Sequence, residues 1–205
     1  ILVSRSESKL YDLSRNLEEK FSISTSSYAC DLSSMHETIK VANIIKTNHK
    51  EIYCLMNNAG GIFMDFELTD EGYEKTFALN HMSYFVLSKM FSQQDKPLSI
   101  INVSSEAHRN INLDFDDLQN KKKYNGWLAY KKSKLANIYL TYEMHKHFLK
   151  KDSTINCLHP GVVNTNFANN NSLPFKIMAS IIKYFGITPR EGASTILYLI
   201  NNNDV

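Results

Sequence analysis

The sequence predicts an α/β fold in which a parallel sheet is covered by helices on both faces. Short apolar runs alternate with longer helix-like stretches along the chain, the pattern of βαβ crossovers. Each apolar run gives way to a polar or glycine-rich tip; in a parallel sheet such tips share one edge, where open α/β folds place ligands. Size agrees: 205 residues, 43% hydrophobic and 21% charged, suffice for one domain with a buried core and fall short of two ordinary ones. Residues 1–205 are therefore read as one domain.

The elements follow in order. The run "ILVS" reaches a tip at Arg5 and leads into a helix over 7–20. "SYACDL" is the next strand, with Asp31 at its end, followed by a helix over 34–48. "IYCLMNN" opens into "NNAGG" at 57–61, and a long helix is expected over 69–93. "LSIINVSS" ends on Ser104 and Ser105, and a helix covers 126–150. "STINCLHPG" is the last strand, followed by a helix near 190–201; the asparagines at 169–171 mark a loop.

Composition excludes several roles. A net charge of +2 leaves no nucleic-acid footprint, and the lysine-rich stretches read as solvated faces. Cys30, Cys54 and Cys157 are far apart, form no C-x-x-C, and read as buried free thiols of a reducing compartment. No H-E-x-x-H occurs, and His145 and His147 point in different directions on a helix, so no metal site is expected. No apolar run reaches the eighteen residues of a membrane span, and no signal peptide opens the chain.

Chemistry is expected at the strand tips and on one helix. Glycines in "NNAGG" let backbone approach a ligand closely, and its asparagines can tie neighbouring strand ends together. In "NVSS" a hydroxyl ends a buried strand. In "GWLAYKKSKLAN" Tyr130 and Lys134 lie one helical turn apart, but Tyr142 and Lys146 repeat that spacing, and about one such pair is expected by chance. The second pair lies roughly 120° around the helix from the first, so at most one faces a common cleft.

Taken together, Asp31-Leu32, Asn57-Asn58-Ala59-Gly60, Asn80, Ser105, Tyr130-x-x-x-Lys134 and Pro160-Gly161 stand in the order found in short-chain dehydrogenases/reductases. The chain resembles the retinol dehydrogenase-like branch of that superfamily through "NVSSEAHR", "DFDDLQNKKKYNGWLAYKKSKLANIYLT", "HPGVVNTNF" and "TPREGAST", with an insertion at 106–128. The resemblance implies a doubly wound, Rossmann-like sheet and an oxidoreductase of lipophilic alcohols and carbonyls. It implies Tyr130 as general acid/base, Lys134 as the charge that favours its phenolate and as a holder of the nicotinamide ribose, and Ser105 as the group orienting the substrate oxygen. Asn80 completes the tetrad through a water-linked proton path. A tyrosine near pKa 10 is a poor shuttle at neutral pH, so the lysine and an oxidised nicotinamide are needed beside it.

The resemblance also assigns the cofactor site. Asp31 and Leu32 read the adenine, Asn58, Ala59 and Gly60 line the adenosine side, and Pro160, Gly161, Val163 and Thr165 hold the carboxamide and diphosphate; His159 is structural. The first tip reads Val3-Ser4-Arg5-Ser6 with no carboxylate before Glu7. A carboxylate there would bind a ribose 2′-hydroxyl and repel a 2′-phosphate, whereas arginine attracts the phosphate, so NADP(H) is expected, with Arg5 as its partner. The stretch 167–187, rich in Phe167, Phe175, Ile177, Met178, Tyr184 and Phe185, suits a greasy ligand or a membrane surface, and equally a helix packed on the core.

The family pattern opens with a strand and a Thr-Gly-x-x-x-Gly-x-Gly turn, which residues 1–205 do not contain. The expectation is an N-terminally truncated, incomplete sheet lacking a central strand between the first strand seen here and "IYCLMNN", and also lacking a final strand. Two functional classes follow: the oxidoreductase, or a catalytically silent binding or scaffold protein on the same fold. The expected location is intracellular, in the cytosol or on the cytoplasmic face of the endoplasmic reticulum or a mitochondrion, with membrane association open through a missing N-terminus.

Overall fold

Strand β1 (Leu2–Ser4) turns into helix α1 (Glu7–Phe21) at Ser6, whose extended backbone and hydroxyl cap the Lys9 amide. The structure, a computed structural model, describes residues 1–164 and 186–202. Strand β2 (Ser27–Ala29) and helix α2 (Met35–Asn48, capped by Ser34) complete the first crossover, and β1 pairs with β2 in parallel.

The second set of strands is β3 (Cys54–Asn57), β4 (Ser99–Val103) and β5 (Thr154–Leu158), parallel and in that order. Among the described residues no strand pairing joins this sheet to β1–β2. A shared core nevertheless holds both sets, since Val3, Tyr28, Cys30 and Leu32 pack in one cluster with Leu55, Ile100 and Ile155. Ile100 and Ile101 are successive and both fully buried. Successive strand residues point to opposite faces, so both faces of the sheet are covered, as the near-continuous apolar runs predicted.

Between β3 and β4 the helix begins later than the periodicity suggested. Gly72, at φ +81, sits in a turn closed by the Leu68–Glu74 bridge, and the helix starts after Glu74, whose carboxylate accepts from the amides of Thr76 and Phe77. It then runs as α3 (Lys75–Phe77), a π-helical segment (Ala78–Met82) and α4 (Ser83–Phe91). After β4 comes a short 3₁₀ turn (Glu106–His108), and then α5 (Gly126–His147), capped by Asn125. Helices α6 (Pro189–Gly192) and α7 (Ser194–Asn201) follow; Thr188 and Glu191 form a reciprocal capping box at the start of α6. Among the described residues no helix is long and apolar enough to cross a membrane.

Strand register is what assembles the site. Asn57 lies beside Asn102, which lies beside Cys157. The tips "NNAGG", Ser104-Ser105 and His159-Pro160-Gly161 therefore leave the sheet side by side on one edge.

Candidate active site

Helix α5 delivers its tyrosine and lysine into that edge. Its first residue, Gly126, is pressed against the loop after β3: a Cβ there would lie 2.2 Å from the Phe63 carbonyl oxygen and 2.7 Å from Met64 Cα. One turn on, Tyr130 is only 8% exposed and packs with Ile62, Met64 and Ala107, while Trp127 stacks on its ring at 5.5 Å. Lys134, a further turn along, is 3% exposed, and its Nζ donates to the Val103 carbonyl at 2.8 Å. The rival pair lies elsewhere: Tyr142 is 70% exposed and Lys146 is exposed.

The two serines after β4 divide the work. Ser104 is buried, and its hydroxyl donates to the Lys134 carbonyl at 2.7 Å, tying α5 to the sheet. Ser105 faces the other way, caps the 3₁₀ turn through Ala107, and hydrogen-bonds the Tyr130 hydroxyl. Asn80, fully buried in the π-helical segment, binds both backbone groups of Gly61 (amide to Oδ1 2.8 Å, Nδ2 to carbonyl 2.9 Å) and donates to Ser133 Oγ at 3.0 Å. Its own carbonyl accepts from Asn137 Nδ2 at 2.8 Å. Because Asn137 Nδ2 is used there, its Oδ1 is the acceptor facing His81, so the His81 Nδ1 carries the proton of their 3.0 Å bond.

Burial sets the electrostatics. It pushes the Tyr130 phenol above its ordinary value, with the Ser105 hydrogen bond acting the other way. It pulls the Lys134 ammonium down to about 8. Lys134 therefore still carries its charge near neutral pH, close to the point of giving it up. Burial also holds His81 below its ordinary value, so the imidazole beside Asn137 is neutral.

The residues expected around a dinucleotide are distributed along the same edge. Arg5 is exposed directly after β1. The Asp31 Oδ1 accepts from the amide and hydroxyl of Ser33 at 2.9 and 2.8 Å, while the Leu32 side chain is in the core, so only the backbone of Leu32 is available to a ligand. Asn58 is exposed, and Ala59 and Gly60 are half-buried. A Cβ on Gly60 would lie 3.2 Å from Asn80 Oδ1 and 3.6 Å from Lys134 Nζ, so a side chain there would crowd the lysine. Pro160, Gly161 and Val163 form the loop after β5, which is locked to the chain before α6 by the Val163–Ile187 bridge. Gly161 has φ +88, and a Cβ there would meet Ile187 Cδ1 at 2.5 Å. Thr165 and most of the stretch 167–187 lie outside the described residues. Glycine-permitted close approach at Gly60, beside a lysine with further N–H donors, fits the ribose and nicotinamide end of such a cofactor.

A cavity of about 360 Å³ opens behind these strand ends, lined by Ser104, Ser105, His108, Tyr142, Cys157 and His159 among others. Ser105 borders both this cavity and Tyr130, while neither Tyr130 nor Lys134 lines it.

Sequence reasoning passed over several groups. Asn57 Nδ2 donates to Asn102 Oδ1 (2.8 Å) and Ser88 Oγ (3.0 Å), and Asn102 Nδ2 donates to Thr141 Oγ1 (3.0 Å), a buried polar ladder across two strands and two helices. The strand-tying role expected of the asparagines is thus filled by Asn57, through an unremarked partner in the next strand. Ser133, Asn137 and Tyr84 were also missed. Ser133 and Asn137 stand four residues apart on α5 and could have been flagged as polar residues on a buried face; Tyr84 carried no local signal.

Comparison with known proteins places this arrangement. The family model described as short chain dehydrogenase matches residues 1–174. Human retinol dehydrogenase 14 is 32% identical over 181 residues, covering 85% of this chain and 54% of the relative. The chain thus spans about half the length of the retinol dehydrogenases it matches. Two solved structures share the fold at a TM-score of 0.74 and 21% identity each. One is a 7α-hydroxysteroid dehydrogenase complexed with NADH and 7-oxo glycochenodeoxycholic acid (97% of this chain, 76% of that one). The other is a variant actinorhodin polyketide ketoreductase with NADPH (99% and 81%).

Proposed function

The chain belongs to the short-chain dehydrogenase family, and from that premise we propose an NADP(H)-dependent oxidoreductase that interconverts a lipophilic alcohol and its aldehyde or ketone. Retinoid-like compounds are the leading substrate class, by likeness to the retinol dehydrogenases. One observation carries the reading: a buried Tyr130, hydrogen-bonded to Ser105, stands one helical turn from a buried Lys134 at the common edge of three strands.

Hydride for reduction, or an acceptor of it for oxidation, is what a bound nicotinamide cofactor supplies. The chain's own residues handle the proton and the geometry. Ser105 holds the substrate oxygen beside the Tyr130 hydroxyl, so that the phenol gives its proton as the oxygen becomes an alcohol and takes it back in the reverse direction. Lys134 offsets the charge left on the phenolate, which burial alone would make costly. Asn80 acts by holding the Gly61 backbone, and hence the "NNAGG" tip, against α5. Ile62, Met64, Ala107 and Trp127 around the Tyr130 ring exclude water and give an apolar approach that suits a lipophilic carbonyl.

Lys134 and the backbone of Asn58, Ala59 and Gly60 are the groups that would hold the ribose, with Asp31 and Leu32 at the adenine and Pro160, Gly161, Val163 and Thr165 at the nicotinamide and diphosphate. Preference for NADP(H) rests on Arg5 at the first strand tip. The test is a screen of retinoid, steroid and aliphatic carbonyls with the full-length protein, using NADPH and NADH. Turnover of a lipophilic carbonyl is expected, with a KM for NADPH about tenfold or more below that for NADH, a gap that Arg5→Glu closes. No turnover with any pair would overturn the activity; a clear NADH preference would overturn the cofactor assignment.

A further inference from the structure

We propose that Tyr84 is a positioning residue for Lys134, its buried ring seating the lysine ammonium one helical turn from Tyr130. The inference rests on the oxidoreductase reading for its consequence, and on the surroundings of Lys134 for its substance.

A buried ammonium needs compensation, because desolvation costs several kcal/mol per ion by the usual order of magnitude. Among the described residues no carboxylate forms an ion pair with Lys134; the pairs present are all at the surface. What surrounds its Nζ comes from five elements. The Val103 carbonyl at the end of β4 accepts one hydrogen bond. The backbone of Gly60, after β3, passes close by. Cys157 on β5 faces it electrostatically. The Tyr84 ring on α4 lies 5.6 Å from Nζ, and the Tyr130 ring on α5 itself lies 5.8 Å away. Of these, Cys157 and the two tyrosines titrate. Burial pushes the Cys157 thiol up, so it is uncharged at neutral pH and cannot serve as counter-ion.

The ammonium is therefore held by one carbonyl and two aromatic rings, both within the roughly 6 Å reach of a cation–π contact. Tyr130 exchanges the proton in the proposed reaction, so its ring alternates between phenol and phenolate. Tyr84 does not alternate. It is 1% exposed, and burial pushes its phenol far above the ordinary range, leaving a permanently neutral, electron-rich ring. Its hydroxyl is buried with no hydrogen-bond partner among the described residues, so the hydroxyl adds nothing to packing that phenylalanine would not. The ring, not the hydroxyl, is the working part.

The test uses the full-length protein with Tyr84→Phe, with ring-fluorinated phenylalanines at position 84, which keep the shape and drain the ring face of electron density, and with Tyr84→Leu. Lys134 is followed in the cofactor-free protein by the ¹³C shift of its Cε against pH, and in the working enzyme by the pH profile of kcat. Tyr84→Phe is expected to keep both titrations unchanged. Fluorination and Tyr84→Leu are expected to lower the Lys134 midpoint by about half to one pH unit, with kcat falling about threefold to tenfold above that midpoint. An unmoved midpoint across the fluorinated series overturns the inference even if Tyr84→Leu fails to fold. The two readings also fail separately. If the wild type turns over no carbonyl yet the midpoint follows fluorination, the oxidoreductase reading fails and the lysine seat stands; normal turnover with an unmoved midpoint fails the seat alone.

Discussion

Helix α5 carries Tyr-x-x-x-Lys twice, and the two copies meet opposite surroundings. Tyr130 and Lys134 are buried against the loop after β3, the end of β4 and α4; Tyr142 and Lys146, three turns further on, stand in solvent. The spacing is identical, so it fixes only that each pair shares a helix face. What separates them is the partners that other elements bring: a carbonyl from β4, a serine hydroxyl from the following turn, an aromatic ring from α4. Burial then raises the proton affinity of Tyr130 and lowers that of Lys134. The sharpest way to break the comparison is to remove one phenol from each copy. Tyr130→Phe is expected to lower kcat/KM by about a thousandfold, as loss of a general acid does, while Tyr142→Phe stays within about twofold of wild type. Comparable losses from both would show that position along α5 does not select the proton donor.

The sequence made much of this division readable. Apolar runs ending in polar tips located the five strands of the described residues, and the parallel pairing of β3, β4 and β5 puts their tips together. The residues that were missed share a cause: their role is fixed by contacts between distant segments. Tyr84 and Lys134 are fifty positions apart, and Asn57 and Asn102 forty-five, so neither helix nor strand periodicity links them. The π-helical segment at Ala78–Met82 lies in an ordinary amphipathic stretch and has no compositional mark. The late helix start at Lys75 is different, because Gly72 was a visible signal: at φ +81 it forms a turn where the apolar periodicity had suggested helix from 69. Thr165 was assigned by resemblance alone and lies outside the described residues.

A second pair of substitutions separates function from stability. Lys134→Met is expected to cost about a hundredfold in kcat and yet to stabilise the cofactor-free protein, by about 3 kcal/mol at most, since it removes a desolvated charge. The sign can be checked by pH. Lys134 has its proton affinity lowered from 10.5 to about 8 on folding. Below pH 8 both folded and unfolded chains hold the proton and the full cost of burying it is present. Between about 8 and 10.5 the unfolded chain holds a proton that the folded one has released, so this lysine's contribution to stability rises with pH. The stability advantage of Lys134→Met over wild type, measured by chemical denaturation, should therefore shrink across that window. Lys146→Met should change neither kcat nor stability by more than about 0.5 kcal/mol at any pH. A constant advantage from pH 7 to 10 would mean that Lys134 is not desolvated as its burial implies.

The smallest effect tests why the first copy is buried at all. Gly126 begins α5, and alanine is the better helix former there by up to about 1 kcal/mol, so propensity alone predicts that Gly126→Ala stabilises. Contact predicts the reverse. The new Cβ would fall 2.2 Å from the Phe63 carbonyl oxygen and 2.7 Å from Met64 Cα, both backbone atoms that no rotamer change can move aside. Overpacking of this kind costs about 1–3 kcal/mol, enough to outweigh the propensity gain and leave a net loss of about 1–2 kcal/mol by denaturation. Relief requires the start of α5 to back away from 63–64, and Ile62 and Met64 are the residues that pack on Tyr130. Turnover should therefore fall several-fold together with stability, because a modest displacement of a proton donor is enough to slow it. At the far end of the helix, Tyr142→Ala makes a smaller propensity gain with nothing to strike, and should leave stability within about 0.5 kcal/mol and turnover unchanged. If Gly126→Ala proves stabilising, the approach of α5 to the loop after β3 is looser than these distances, and the burial of Tyr130 must come from β4 and α4 instead.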